Sequence, residues 1–417
     1  MKYGVIECLE KSTDVVIVGA GIAGQALAYL LQKNGVSTLL LDRRKSQESI
    51  PRGITFQPNG LEALEKIGVL DQVLDLGVKN RVLEVKSWSG ELFLEADYEL
   101  LDHPHNYLLT VNATEIESAI SYLASNAGAE TLWGAGFKQI LGDEKDVAAG
   151  VDCTVDGEPV TVRASLVVGA DGSQSRVRAA IGAKTIVRKY PEAFLVGLVG
   201  RVLGLEGRAR QYQAPGRMLG VMPATRDSTY MFYCVGPRSF DQVKAAGLDL
   251  FKAEVLEVAP ELQDAFAGVE VWTSMGYFTP SYVRVDPWVA DGVVLLGDAA
   301  HTFHPHAGQG VNLSLQDVLV LADVIVDAIG SKNVSAKSLR VYQAKRKMYA
   351  DVIGQYAHYT ASWALSDNWL IRRLNVHALR KLQKNRELLK EALTITAGLF
   401  TKKPGRIKQL RIAGLLP

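Results

Sequence analysis

Short, uninterrupted apolar runs alternate along this chain with amphipathic stretches, and that alternation predicts a parallel sheet covered by helices. Val15-Val16-Ile17-Val18, Leu166-Val167-Val168 and Val293-Val294-Leu295-Leu296 are the clearest runs. Segments this short and apolar on both faces suit strands buried on both sides. Helical periodicity follows the first run to about Asn34, and Val36 to Leu41 makes the next strand. Gly60 to Ile67 and Thr114 to Ala127 read as helices, and residues 81–97 alternate as a hairpin does. A strand pair is expected over roughly 133–163. From Glu192 to Val283 the pattern becomes strand-rich (Phe194 to Val199, Met218 to Met222, Tyr230 to Val235), broken by a helix over Leu248 to Ala265. A helix starts near Val311. Its stretch from Leu313 to Ile329 carries Asp317, Asp323 and Asp327, so it reads as a buried amphipathic helix and not as a membrane span.

What ends each apolar run is more telling than the run itself. The first delivers Gly19-Ala20-Gly21-Ile22-Ala23-Gly24, and the strand after the helix ends at Asp42, with Arg43 next to it. Strand, G-x-G-x-x-G, helix, strand and acid form the dinucleotide-binding fingerprint with its context intact. Gly19 makes the tight turn, Gly21 admits a pyrophosphate, Gly24 lets helix and strand pack closely, and Asp42 suits a ribose diol. The second run delivers Gly169-Ala170-Asp171-Gly172-Ser173-Gln174-Ser175-Arg176-Val177-Arg178, an acid-glycine pair before a basic helix start. The third delivers Gly297-Asp298 and then His304-Pro305-His306-Ala307-Gly308-Gln309-Gly310, which feeds the helix at Val311. Small residues let a ligand approach the backbone, and a helix start turns unpaired N–H groups toward negative charge.

These three motifs, in this order, resemble the single-component flavoprotein monooxygenases, the group of the para-hydroxybenzoate and ubiquinone-pathway hydroxylases. The resemblance covers most of residues 12–345. It implies an α/β fold in which a Rossmann-like FAD-binding domain carries an inserted antiparallel substrate sheet and C-terminal helices. The segments expected are 12–80, 105–182 and 283–345 for the cofactor domain, 81–104 and 183–282 for the substrate domain, and 346–417 for the helical end. It implies FAD as cofactor, NADH or NADPH as transient reductant, and dioxygen and an aromatic small molecule as substrates, with oxygen transferred from a flavin C4a-hydroperoxide. On this reading Gly308, Gln309, Gly310 and Val311 aim backbone N–H groups at the flavin, Asn312 adds a polar contact and Asp298 binds through ligand hydroxyls. Arg52 reaches the flavin side, while Pro305 and His306 lie near the ring as the catalytic candidates. One departure stands out: the family commonly has an arginine before the helix near Thr114, whereas this chain has Asn112.

Composition narrows the partners. A net charge of +1 over 417 residues excludes bulk electrostatic binding of nucleic acid. Cys8, Cys153 and Cys234 are scattered, without metal or redox spacing, as expected of a cytoplasmic protein. His301, His304 and His306 supply three imidazoles, but a turn entering a cofactor helix does not promise converging geometry, so no metal is expected. From Ile371 onward there are twelve Lys or Arg against Glu387 and Glu391. That end reads either as a solvated face on helices packed by Leu374, Leu379, Leu382, Leu388, Leu389 and Leu393, or as a peripheral anchor on anionic lipid. Pro404-Gly405 is expected to leave a short basic tail. Tyr212, Arg217, Met222, Tyr233, Tyr277 and Tyr282 fall in the roofing strands, where packing is the plainer role. The sequence leaves monomer and homodimer open. It also leaves open a related flavin reductase or dehydrogenase, and a non-catalytic binder of the same fold.

Overall fold

Four apolar strands lie side by side because each is buried on both faces and can satisfy its backbone only through its neighbours. The structure, a computed structural model, describes residues 9–47, 52–142 and 147–413. Cys8 and Pro51 fall outside those residues. Leu9–Val18 pairs in parallel with Thr38–Asp42 on one side and Glu158–Gly169 on the other. Val293–Leu295 extends the sheet in parallel beyond Glu158–Gly169, and Glu130–Trp133 extends it beyond Thr38–Asp42. Helices Ile22–Lys33, Ala113–Asn126 and Gly310–Gly330 pack against one another over this sheet.

The strand pair expected over 133–163 is a three-stranded meander. Ala135–Gly142 and Ala148–Val155 fold back onto the first half of Glu158–Gly169, whose second half joins the parallel sheet. The hairpin is closed by Asp156-Gly157, both at positive φ (50° and 95°), the conformation that matches strand twist in a two-residue turn.

A second sheet has the order Met275–Phe278, Ala193–Gly200, Ser228–Gly236, Arg217–Pro223, Arg208–Ala214, Val82–Ser87, Leu92–Asp97. It is antiparallel as expected, except that Arg208–Ala214 runs parallel to Val82–Ser87. Those two strands are joined by a long excursion through the first sheet, and only such a connection permits a parallel pair. The expected helix over Leu248 to Ala265 ends at Leu256, ahead of Pro260, and two short 3-10 turns follow. One face of this sheet packs Tyr212, Tyr233 and Val235 against Phe251 and Val255. Its other face packs Val85, Leu94 and Met222 against Leu382, Leu388 and Leu393 of the C-terminal helices.

Those helices are Ala336–Ala364, Trp369–Lys384 and Arg386–Thr396. After Pro404-Gly405 the chain re-forms a helix, Arg406–Ile412, in place of the expected loose basic tail. Lys408 pairs with Glu391 at 3.3 Å, and Ile412 tucks against the leucine cluster. Trp369, Leu370 and Ile407 stay exposed. None of the described helices is long and apolar enough to cross a membrane.

A buried charge cluster fastens the C-terminal helices to the first sheet. Asp317, on Gly310–Gly330, accepts from His301 Nε2 at 2.7 Å and from Arg346 Nε at 2.6 Å. All three side chains are buried. Desolvation alone would raise the Asp317 carboxyl, but His301 and Arg346 beside it hold it below the usual carboxylate range. A depressed carboxylate contributes stability above its ordinary range and loses that contribution as pH falls through the lowered value. Asp317→Asn leaves the Arg346 guanidinium buried without its counter-charge, an expected cost of ~3–5 kcal/mol. Urea unfolding near neutral pH measures it, and the gap from the parent protein narrows on acidification.

Candidate functional site

The three motifs meet because the strands that carry them end in register. Val18 pairs with Gly169, and Gly169 pairs with Leu295. Gly19, Asp171 and Asp298 therefore leave the same edge of the sheet from three adjacent strands. The approach is close. A Cβ on Gly19 (φ 112°) would sit 2.3 Å from the Ala170 carbonyl oxygen, and one on Gly24 would sit 2.1 Å from that of Gly19. At Gly21, by contrast, a Cβ would meet nothing within 4 Å. The middle glycine of the fingerprint thus faces open space, at the start of a helix that has no side-chain cap.

Asp42 ends its strand, with Oδ2 accepting from the Ala20 N–H at 2.9 Å. Its Oδ1 accepts from the Arg44 backbone and from Arg44 Nε. Burial pushes its carboxyl up, but Arg44 and these N–H groups outweigh that and hold it below the usual range. The predicted neighbour Arg43 is turned to solvent. Arg44, which sequence reasoning passed over, lies over Asp42 and also reaches Glu117 at 3.3 Å. Arg52 takes the other Glu117 oxygen at 3.1 Å. Asn112 caps Ala113–Asn126 by accepting from the Thr114 N–H, while the Arg52 carbonyl accepts from the Ala113 N–H. Arg44 and Arg52 are thus gathered on the Glu117 carboxylate close to Asn112. Their convergence depends on tertiary folding, and no local motif announces it.

Asp171 Oδ2 accepts from the N–H groups of Arg176 and Val177, whereas its Oδ1 is buried without a protein partner. Arg178 donates to the carbonyls of Ser173 and Ala299, tying the acid-glycine loop to the Gly297-Asp298 loop. Asp298 is accessible along one side, yet the protein walls around it raise its carboxyl above the ordinary range, mainly by desolvation. A Cβ on Gly310 would lie 4.0 Å from Asp298 Oδ1. The helix Gly310–Gly330 starts there without a side-chain cap, so the N–H groups of its first turn, at Gly310, Val311 and Asn312, are available to a ligand.

The side chains of Gln309, expected to contribute its backbone N–H, and of Asn312, expected to add a polar contact, are committed elsewhere. Gln309 exchanges hydrogen bonds with Asn59 and donates to the Thr396 carbonyl at 2.6 Å. Asn312 accepts from the Gln57 N–H and donates to the carbonyls of Thr55 and Gly308. Both brace the turn, so what they can offer a cofactor is backbone. The three histidines diverge: His301 meets Asp317, and His304 meets Glu192 at 2.8 Å. Pro305 is exposed. His306 is half-buried, with Nδ1 unpartnered, and desolvation together with the neighbouring His304 pulls its basicity down to about 3.

His306 and Ala307 form one end of a cavity of about 490 Å³ between the second sheet and the C-terminal helices. The tyrosines singled out in the roofing strands do not form it: Tyr212 bonds Glu261, Tyr233 bonds Glu254 and Tyr277 bonds the Arg238 carbonyl. Strand alternation puts Gln211 and Gln213, either side of Tyr212, into the cavity instead. Leu379, Leu382, Leu389 and Leu393, read as packing residues, also line it. The signal available in the sequence was the period-2 pattern around Tyr212, where the polar positions, not the aromatic one, face the cavity.

The residues present fit a flavin dinucleotide: an open Gly21 between close-packed neighbours, an orphaned Asp171 oxygen and two uncapped helix starts converge on one edge. Comparison with known proteins agrees. The family described as FAD binding domain matches residues 12–356. The 6-methylpretetramide 4-monooxygenase of Streptomyces rimosus is 27% identical over 345 residues, 80% of this chain and 80% of the relative. The kynurenine 3-monooxygenase of Salinispora arenicola is 31% identical over 364 residues, 81% of this chain and 77% of the relative. The crystal structure of PqsL from P. aeruginosa in complex with 2-aminobenzoylacetate superposes with a TM-score of 0.75 at 27% identity, covering 85% of this chain and 97% of that one. The chain belongs to this FAD-binding family, as a flavin-dependent aromatic monooxygenase.

Proposed function

We propose that FAD lies along the edge where Gly19, Asp171 and Asp298 converge, and that the aromatic substrate occupies the cavity ending at His306. The observation that carries this reading is the open, uncapped edge at Gly21 and Gly310 beside a cavity that reaches His306. Gly21 and the start of Ile22–Lys33, with Ala23 and Gly24 in its first turn, receive the pyrophosphate, which the helix start offsets electrostatically. Asp42 and Arg44 together frame the nucleoside end, with Arg52 and Asn112 alongside. Asp171 Oδ1 and Asp298 accept hydroxyl donors of the linker, and the first-turn N–H groups at Gly310–Asn312 stabilise negative charge on the ring. When bound, FAD supplies the redox chemistry that no side chain can, taking hydride from NADH or NADPH and activating dioxygen.

The overall conversion places one oxygen atom of O2 on the aromatic ring and releases the other as water, with NAD(P)H supplying the two electrons. The leucine-rich walls exclude water from the reacting end. The His306 imidazole is uncharged, so one of its ring nitrogens can accept from a hydroxyl of the bound aromatic. Its imidazole stays neutral across the physiological range, so its role is to accept and orient a hydrogen bond.

Asp298→Ala and Gly310→Val are expected to fold and to lose FAD, one by removing the acceptor and the other by filling the space at the helix start. Full flavin content after purification of either would refute this placement. In the parent protein, anaerobic bleaching of the flavin by NADH or NADPH accelerates when a suitable aromatic is present; bleaching indifferent to every aromatic would favour a reductase instead. The lowered His306 basicity has a pH consequence as well. Below about pH 6.5 the unfolded chain takes up a proton that the folded one refuses, so stability falls as pH drops from there toward about 3. His306→Gln flattens that part of the stability profile, as thermal unfolding across the acid range would record.

A further inference from the structure

Among the described residues, no charged side chain lines the cavity at His306. Its floor is the sheet face carrying Val85, Leu94, Gln211 and Gln213, and one wall is the helix Ala336–Ala364 with Tyr356 and Trp363. The roof comes from helices Trp369–Lys384, Arg386–Thr396 and Arg406–Ile412, which contribute aliphatic residues and the amides of Asn375 and Gln409. Twelve basic residues crowd this end of the sequence, yet none of those in the described residues lines the cavity. Lys408 meets Glu391, and Arg372, Arg373 and Arg380 line an adjoining pocket on the other side of Gln213 and Asn375.

The polar groups inside are few and neutral. Asn375 Nδ2 donates to Gln213 Oε1 at 3.1 Å, and Tyr356 pairs with Thr396 at 2.6 Å. Among the described residues the Gln211 and Gln355 amides have no protein hydrogen-bond partner, although Gln211 is buried. Both amides line the cavity, Gln211 from the buried sheet face and Gln355 from an exposed position on its helix, so the donor and acceptor of each are free to meet a ligand. A carboxylate held here would be desolvated with no cation to face it, and that penalty is large.

Building on the site placement proposed above, we infer that this cavity takes an uncharged, extended aromatic bearing amide-, carbonyl- or hydroxyl-type groups, and rejects aromatic carboxylates. The Gln211 and Gln355 amides read the substrate's polar groups. A volume of about 490 Å³ suits a fused-ring or aryl-extended molecule more than a single small ring.

The test uses FAD-loaded protein and matched pairs: 1-naphthol against 1-hydroxy-2-naphthoic acid, and 4-hydroxyquinoline against its 2-carboxylic acid. Equilibrium dialysis measures binding directly, without relying on turnover. The neutral member of each pair is expected to bind at least ~10-fold more tightly, the direction an unpaired buried charge imposes. Gln213→Arg is expected to narrow or invert the preference; the parent measurement stands whether or not that variant folds. Equal or tighter binding of the carboxylates overturns the inference, as does failure of every neutral compound to bind. Loss of the flavin-site placement would show separately, as unchanged FAD content in Asp298→Ala and Gly310→Val.

Discussion

The register of three parallel strands governs this molecule. Gly19, Asp171 and Asp298 are separated by well over a hundred residues in sequence, and only the pairing of Val18 with Gly169 and of Gly169 with Leu295 sets them on one edge. A one-residue shift would exchange the side chains that each strand turns to the helices on either face, so packing on both faces opposes slippage. The close backbone contacts at Gly19 and Gly24 then lock the helix against the strand ends. Everything chemical about the site, from the uncapped helix starts to the orphaned Asp171 oxygen, inherits its position from that alignment.

The sequence revealed these parts where local patterns dictate local structure. Each strand end carried its own signature, so the three glycine-bearing loops, the helix at Gly310 and the strands of the second sheet could all be placed. Other features arise only when distant segments meet. Glu117 gathers Arg44 and Arg52 from a different part of the chain, and nothing in the sequence around any of them marks the others. Asn312 stands in the motif where a polar cofactor contact is expected, but its side chain braces Gln57 and Thr55, as that of Gln309 braces Asn59. Their roles were set by a segment some 250 residues earlier.

The substrate side teaches a different lesson. Aromatic residues on the roof strands attract notice, yet Tyr212 and Tyr233 each satisfy a glutamate on the far face of the sheet. The leucines of the C-terminal helices looked like ordinary packing because lining a ligand cavity and packing a core demand the same apolar face. Amphipathic periodicity identifies which side of a helix is dry but is silent on whether protein or ligand will cover it.

The parallel junction between Arg208–Ala214 and Val82–Ser87 has a consequence for engineering. The second sheet is not a single insertion, since its last two strands are delivered by a segment that departs from the first sheet well before the others. A chimaera that transplants only the 183–282 region of a relative would bring a five-stranded piece to a two-stranded hairpin from a foreign lineage, with the seam running through the cavity floor between Val85 and Gln211. Exchange of substrate preference by grafting therefore calls for the hairpin, the later strands and the covering helices to travel together.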